Sequence, residues 1–269
     1  MIRAAERPHK GGIRMRVAIV TGASSGLGRE FVRLLGQEGC ADEIWAVARR
    51  ADRLEALRTL TACPIRPLPL DLTRGESVDA LRDLLKQEQP QVTVLVCAAG
   101  FGRIGRSDQI PRSDDDAMID LNCRAAVAVT TEVLPYLRRG SRVLEICSTA
   151  GFQPMPGLNV YAATKAFLQS YTKALHHELL LSGVRVTAVC PYWIKDTEFI
   201  PQAQKVDRGG FRHFPLASHA RTVARWALLD SRLNLWVSTP GPVCMAHRLV
   251  AKFVPHCIMV PFMDLLRRI

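Results

Sequence analysis

Tyr161 and Lys165 stand four residues apart in Asn159-Val-Tyr-Ala-Ala-Thr-Lys165, a stretch that reads as helix. That spacing sets a phenol and an ammonium on one helix face, about one turn apart. A cation beside a phenol favours phenolate, so the tyrosine pKa is expected to fall toward working pH. A tyrosine tuned in this way passes a proton to or from a reacting oxygen. Alone the pair says little, because tyrosine and lysine meet at this spacing by chance on many solvated helices. Ser148 adds to it, standing just after Val143 to Cys147, an apolar run that reads as a strand.

A second group of residues suits phosphate. The β-branched run Arg16 to Thr21 leads into Gly22-Ala-Ser-Ser-Gly26-Leu-Gly28, after which Leu27, Phe31, Leu34 and Leu35 recur at helical spacing. Strand, glycine turn and helix start in succession form a cradle in which backbone N–H groups point at a pyrophosphate. Gly22, Ser24, Ser25, Gly26, Leu27 and Gly28 are its candidate contacts, against the alternative of a glycine-rich turn with no ligand. The next strand, Glu43 to Ala48, ends in Arg49-Arg50. An acid there would bind a free ribose 2′-hydroxyl, whereas arginine suits a 2′-phosphate, so NADP(H) is favoured over NAD(H). The competing reading is that these arginines solvate a helix start.

The elements that must position these groups follow in order. Ile65 to Leu70 reads as a third strand, with Asp71 and Leu72 at its end. Asp71 either contacts an adenine amino group or caps the next helix, where Thr73 and Glu76 form a capping-box pattern. Gln91 to Cys97 is a continuous apolar strand ending in Ala98-Ala99-Gly100, small enough for a cofactor to lie on the backbone. Ser113 to Asp116 opens a long helix that Pro135 kinks or ends. Asn122 inside it implies solvent exposure or a specific hydrogen-bonding task. Val184 to Cys190 and Leu233 to Ser238 read as the sixth and seventh strands. The alternation predicts an α/β doubly wound, Rossmann-type parallel sheet of about seven strands with helices on both faces. Gly22, Arg49, Asp71, Gly100, Ser148 and Pro191 all fall at carboxyl ends of strands, where such sheets bind ligands.

At 269 residues, 48% hydrophobic and 23% charged, the composition is that of an ordinary globular protein. Residues 15–240 are expected to form a dinucleotide-binding catalytic domain with a lid at about 192–217, in which Tyr192, Trp193, Phe199, Phe211 and Phe214 make an apolar lining. Residues 241–269 form an apolar, basic extension packed on the same domain. It lacks the roughly 20 apolar residues of a spanning helix, and its composition suits a pocket wall, a subunit contact or an interfacial helix. The formal charge of +11 is partly local, in Arg3, Arg7, Lys10, Arg14 and Arg16, against Glu6. This leader, residues 1–14, is expected to be disordered and has no apolar core of a secretory signal; Met15 is an alternative start. No nucleic-acid module accompanies the charge, which reads as a solvated surface. The eight cysteines show no metal-ligand spacing, so no metal is expected, and their use as small hydrophobes points to the cytoplasm.

On these residues the sequence resembles the short-chain dehydrogenase/reductase family, in its standard-length single-domain branch, over about residues 15–240. Thr21 to Gly28 matches the family's T-G-x-x-x-G-x-G. Ser148, thirteen residues before Tyr161, matches the catalytic serine, Tyr161 and Lys165 the Y-x-x-x-K motif, and Asn122 the asparagine of the fourth major helix. The resemblance implies that Tyr161 is general acid or base, Lys165 lowers its pKa and holds the nicotinamide ribose, Ser148 orients the carbonyl, and Asn122 holds a water. It extends the cofactor contacts to Pro191, Ile194 and Thr197, with Thr197 displaced by about one residue from the family pattern. Cys97-Ala98-Ala99-Gly100 replaces the usual N-N-A-G. The expected activity is NADP(H)-dependent interconversion of a secondary alcohol and a ketone on a lipophilic, steroid-like or fatty-acyl-like substrate. The alternative is a non-catalytic dinucleotide sensor. A homodimer or homotetramer formed through helices around 114–138 and 158–182 is expected, with peripheral membrane contact through 243–269 a further option.

Overall fold

The structure is a computed structural model that describes residues 14–207, 214 and 216–268. The expectations placed on Phe211 and on leader residues 1–13 lie outside these residues. The elements are β1 (Arg16–Thr21), α1 (Gly26–Glu38), β2 (Glu43–Ala48), α2 (Ala51–Glu55), β3 (Ile65–Pro69), α3 (Gly75–Glu88), β4 (Gln91–Cys97) and α4 (Arg112–Ile119). They continue with α5 (Ala126–Val133), β5 (Leu137–Ile146), α6 (Asn159–Leu179), β6 (Arg185–Val189), α7 (Phe199–Ala203), α8 (Ala220–Arg232), β7 (Val237–Ser238), α9 (Pro242–Phe253) and α10 (His256–Arg268).

The seven strands form one parallel sheet, as the alternating sequence predicts, and their order is 3-2-1-4-5-6-7. Both faces are covered, which is why the central strands are largely apolar instead of alternating. On one face Phe31, Val32 and Leu35 of α1 and Ala224 and Ala227 of α8 pack on Ala18, Val20, Ile44 and Val96. On the other, Leu81 and Leu85 of α3, Val129 and Val133 of α5 and Leu175 of α6 pack on Val17, Ile19, Leu95 and Val186. Glu38, at the end of α1, ion-pairs with Arg142 of β5 and Arg232 of α8 and so ties three elements together. The strand order reverses between β1 and β4, which leaves a crevice above the β1 and β4 carboxyl ends.

β3 is an edge strand containing Pro67 and Pro69. Leu70 N–H donates inward to Ala48 O, so alternation turns the N positions of residues 67 and 69 outward, where no ladder bond is lost. The other edge, β7, has two residues; Asn234, with φ +56, sits in the turn before it, so the strand expected from Leu233 starts late.

The long helix expected from Ser113 is interrupted. α4 passes into a π-helical turn over Asp120–Ala125 before α5 resumes, and a 3-10 turn at Leu134–Tyr136, carrying Pro135, ends it. The capping box at Thr73 and Glu76 does not form. Asp71 Oδ1 accepts from Thr73 N–H at 3.1 Å and Thr73 Oγ1 at 2.7 Å, and α3 starts after Arg74 with no side-chain cap.

Candidate functional site

A cleft of about 810 Å³ opens over the carboxyl ends of the strands. Gly22, Ser24, Ser25, Gly26, Leu27, Gly28, Arg49, Arg50, Asp71, Leu72, Ala99, Gly100, Ser148, Tyr161, Lys165, Pro191, Ile194 and Thr197 all line it. Asn122 does not; it lies fully buried one layer behind.

The site is built from β5 and α6. Ser148 follows β5 in extended backbone and leads a 3-10 turn, Thr149–Phe152, its Oγ accepting from Ala150 N–H at 3.1 Å. Gly151 lets that turn press on α6, since a Cβ there would stand 2.8 Å from the Lys165 carbonyl carbon. The contact fixes Ser148 relative to Tyr161 and Lys165. Lys165 Nζ donates to Ile146 O at 2.7 Å and lies 5.8 Å from the Tyr161 ring centre.

Burial pushes the Tyr161 phenol well above its ordinary pKa, with a Ser148 hydrogen bond pulling the other way. Burial also lowers the Lys165 pKa, against the raising influence of Cys147, Cys123 and Glu145. In this state the fall expected from Lys165 is outweighed by burial. Four-residue spacing reports a shared face and leaves out desolvation, which dominates here. Tyr161 holds its proton at neutral pH in this state and is poised as a donor.

Asn122 has a specific bonding task. Phe101 N–H donates to its Oδ1 at 3.0 Å, and its Nδ2 donates to Phe101 O at 2.9 Å and Thr164 Oγ1 at 3.1 Å. The π-helical turn directs this side chain between the segment after β4 and α6. A Cβ on Gly100 would stand 2.8 Å from Asn122 Oδ1 and 3.4 Å from Lys165 Nζ, so only glycine admits this packing.

The glycine turn fits a dinucleotide pyrophosphate. Gly22 has φ +66, and a Cβ there would lie 2.8 Å from the Ala98 carbonyl; a Cβ on Gly28 would lie 2.3 Å from Gly22 O. The first turn of α1 carries no acid, and Ser25 makes no side-chain cap. Its leading N–H groups thus face the cleft with favourable dipole sign. At the β2 end, Arg50 donates to Ser24 Oγ at 3.1 Å, Ser25 Oγ at 2.9 Å and Glu198 Oε2 at 3.0 Å. Glu198 also pairs with Arg53. Burial raises the Asp71 pKa, but the Thr73 hydrogen bonds and the charges of Arg49 and Arg74 outweigh it and hold the carboxyl low.

Described residues of the segment after β6, from Tyr192 to Gln202, line both ends of the cleft. Thr197 Oγ1 donates to Ile194 O at 3.1 Å, and the side chain lies so close that a Cβ on Gly26 would be 3.2 Å from it. Phe199 stacks at 5.4 Å from Tyr161, and Trp193 packs on Phe214 at 4.6 Å. Beyond Tyr161 the walls are Phe101, Met155, Leu158, Tyr192, Trp193 and Phe199. Arg103 reaches this end but is tied to Asp114 at 2.7 Å and Gln202 O at 3.0 Å. α9 contributes His247, which bonds Gln153 Oε1 at 2.9 Å and whose pKa burial lowers. Sequence reasoning missed Glu198, Arg53, Arg103 and His247 as parts of the site. Their partners lie far along the chain, and no local pattern marks them. Among the described residues no cluster of metal-ligating side chains occurs.

The chain is similar to known proteins. A family model described as short chain dehydrogenase matches residues 16–207. Sulfoacetaldehyde reductase of Chromohalobacter salexigens is 36% identical over 186 residues, 67% of this chain and 72% of that protein. A short-chain dehydrogenase from Sphingobium yanoikuyae, solved in complex with NADPH, superposes with a TM-score of 0.77 at 26% identity, covering 91% of this chain and 95% of the other. Serine dehydrogenase complexed with NADP+ gives 0.69 at 30% identity, covering 80% and 88%. The chain belongs to the short-chain dehydrogenase/reductase family and is an NAD(P)-dependent oxidoreductase.

Proposed function

We propose that the protein interconverts a secondary alcohol and a ketone on a lipophilic substrate, using NADP(H). The observation that carries this reading is the buried Tyr161 hydroxyl, paired with Ser148 where the dinucleotide cradle meets an apolar pocket. When bound, the nicotinamide supplies the hydride in reduction and accepts it in oxidation. The chain's own residues handle the oxygen. Ser148 Oγ–H and Tyr161 O–H point their protons at the carbonyl oxygen, and Tyr161 passes its proton across as negative charge develops. In oxidation the same phenol takes the proton back. Lys165, held by Ile146 O beside the ring, stabilises the phenolate left after transfer.

Arg50, with Arg49 beside it, supports NADP(H) over NAD(H). Its present partner Glu198 is 43% exposed, so the pair is weak and readily exchanged for a phosphate. The apolar walls favour a steroid-like or fatty-acyl-like carbonyl over a small anionic aldehyde, since Arg103 is already neutralised by Asp114. Eight free thiols suit the cytoplasm, and α4, α5 and α6 are the surfaces proposed for self-association.

The test is a panel of steroid, acyl, small and sulfonated carbonyls assayed with NADPH and NADH in parallel. Tyr161→Phe is expected to lose roughly 10²–10⁴-fold in turnover while keeping dinucleotide affinity. Full turnover in that variant would sink the catalytic role, and an NADH preference the assignment of Arg50. Dinucleotide binding with no turnover on any carbonyl would favour the sensor.

A further inference from the structure

α9 is turned the opposite way from an ordinary surface helix. Met245, Leu249 and Phe253 recur every four residues and are 51%, 58% and 72% exposed, with Val250 at 46% beside them. The other side of the helix is engaged with the protein. Cys244 is buried and accepts from Tyr192 N–H at 3.2 Å, and His247 bonds Gln153 at the pocket wall. A helix on a globular protein normally shows water its polar side, and a continuous apolar strip left outside marks an interaction surface.

Charge selects the occupant. From Ser231 to Met263 the sequence contains no acidic residue, while Arg232, Arg248 and Lys252 fall in that span. At 3.6 residues per turn, Arg248 and Lys252 share one flank of the apolar strip. The Lys252 ammonium lies 5.4 Å from the centre of the exposed Phe253 ring, so cation and strip meet in one place. A second copy laid symmetrically on this face would bring like charges together. An anionic bilayer surface offers acyl chains to the strip and headgroup phosphates to the flank at the same depth. Ile258, 62% exposed at the start of α10, extends the apolar surface past Pro255. No helix among the described residues is long and apolar enough to cross a membrane, so the fitting geometry is in-plane.

We propose that the outer face of α9 docks on anionic lipid bilayers as an in-plane helix, whose inner face is a wall of the substrate cleft. Docking stands apart from the proposed reaction, because it is read without substrate.

The test is flotation of the full chain with vesicles of phosphatidylglycerol and phosphatidylcholine, and with pure phosphatidylcholine. The chain is expected to float with the anionic vesicles and to be released by salt. Leu249→Glu with Phe253→Glu, and separately Arg248→Glu with Lys252→Glu, should each lower partitioning by roughly tenfold or more. An NADPH-induced rise in melting temperature checks that each pair folds, and the charge pair decides if the apolar pair does not. Absence of flotation, or equal flotation of wild type and both pairs, overturns the proposal. So does a wild-type dimer by light scattering that the Leu249/Phe253 pair converts to monomer without any vesicle binding, since a second copy would then cover the face.

Discussion

Glu145 places a carboxyl inside the sheet, on a strand whose neighbours Val143, Leu144 and Ile146 are buried hydrocarbon. It is fully buried on β5, accepting from Thr130 Oγ1 at 2.6 Å. Burial lifts its pKa to about 7, with Thr130, Cys97 and Lys165 opposing. The folded chain therefore keeps this proton up to about pH 7, whereas the unfolded chain releases it near 4.5. Between those values the native state binds more protons, so this group's contribution to stability falls as pH rises and levels off above about 7. The loss is on the order of 3 kcal/mol. Glu145→Gln keeps the shape and removes the titration, so the variant should gain on wild type as pH climbs from about 5 to about 8. Paired melting curves check this, and a gap independent of pH would acquit Glu145. Nothing in the run Val143 to Cys147 marked this residue, because an acid in an apolar strand gives no sign of which neighbours surround it. Tyr161 and Lys165 were the reverse case. Their shared face was legible from spacing, while the burial that sets the direction of their pKa shifts was not.

At the scale of elements, the glycine turn was readable because each glycine answers a local demand. Gly28 has Gly22 O where its Cβ would be, at 2.3 Å. Gly28→Ala must widen the turn and tilt the start of α1 away from the pyrophosphate. A loss of roughly ten- to a hundredfold in NADPH affinity is expected by calorimetric titration, with the sheet intact by circular dichroism. Unchanged affinity would mean the turn is not the cradle. Elements defined by distant partners were less legible. The π-helical turn at Asp120–Ala125 exists where Asn122 reaches both Phe101 and Thr164, contacts 21 and 42 residues away. The capping pattern at Thr73 was legible and misleading, since Asp71 captured the threonine first.

For the whole molecule, the parallel sheet and a ligand crevice at its carboxyl ends followed from alternation and connection rules, whereas the wall that α9 supplies did not. α9 closes the cleft from the end of the chain, with His247 meeting Gln153 across 94 residues. His247→Ala removes that partner from a glutamine that is 4% exposed, a cost of about 1–3 kcal/mol. The expected outcome is a lower melting temperature and a raised KM for the carbonyl substrate, with NADPH affinity unchanged. Equal losses in both affinities would mean that α9 supports the entire cleft and not its substrate end alone. The edges of the sheet have a separate consequence. Pro67 and Pro69 leave gaps in the row of donors along β3, and β7 offers two residues. A strand from a neighbouring molecule finds no continuous template at either margin, so crowding and partial unfolding at high expression should not seed cross-β growth from the native sheet.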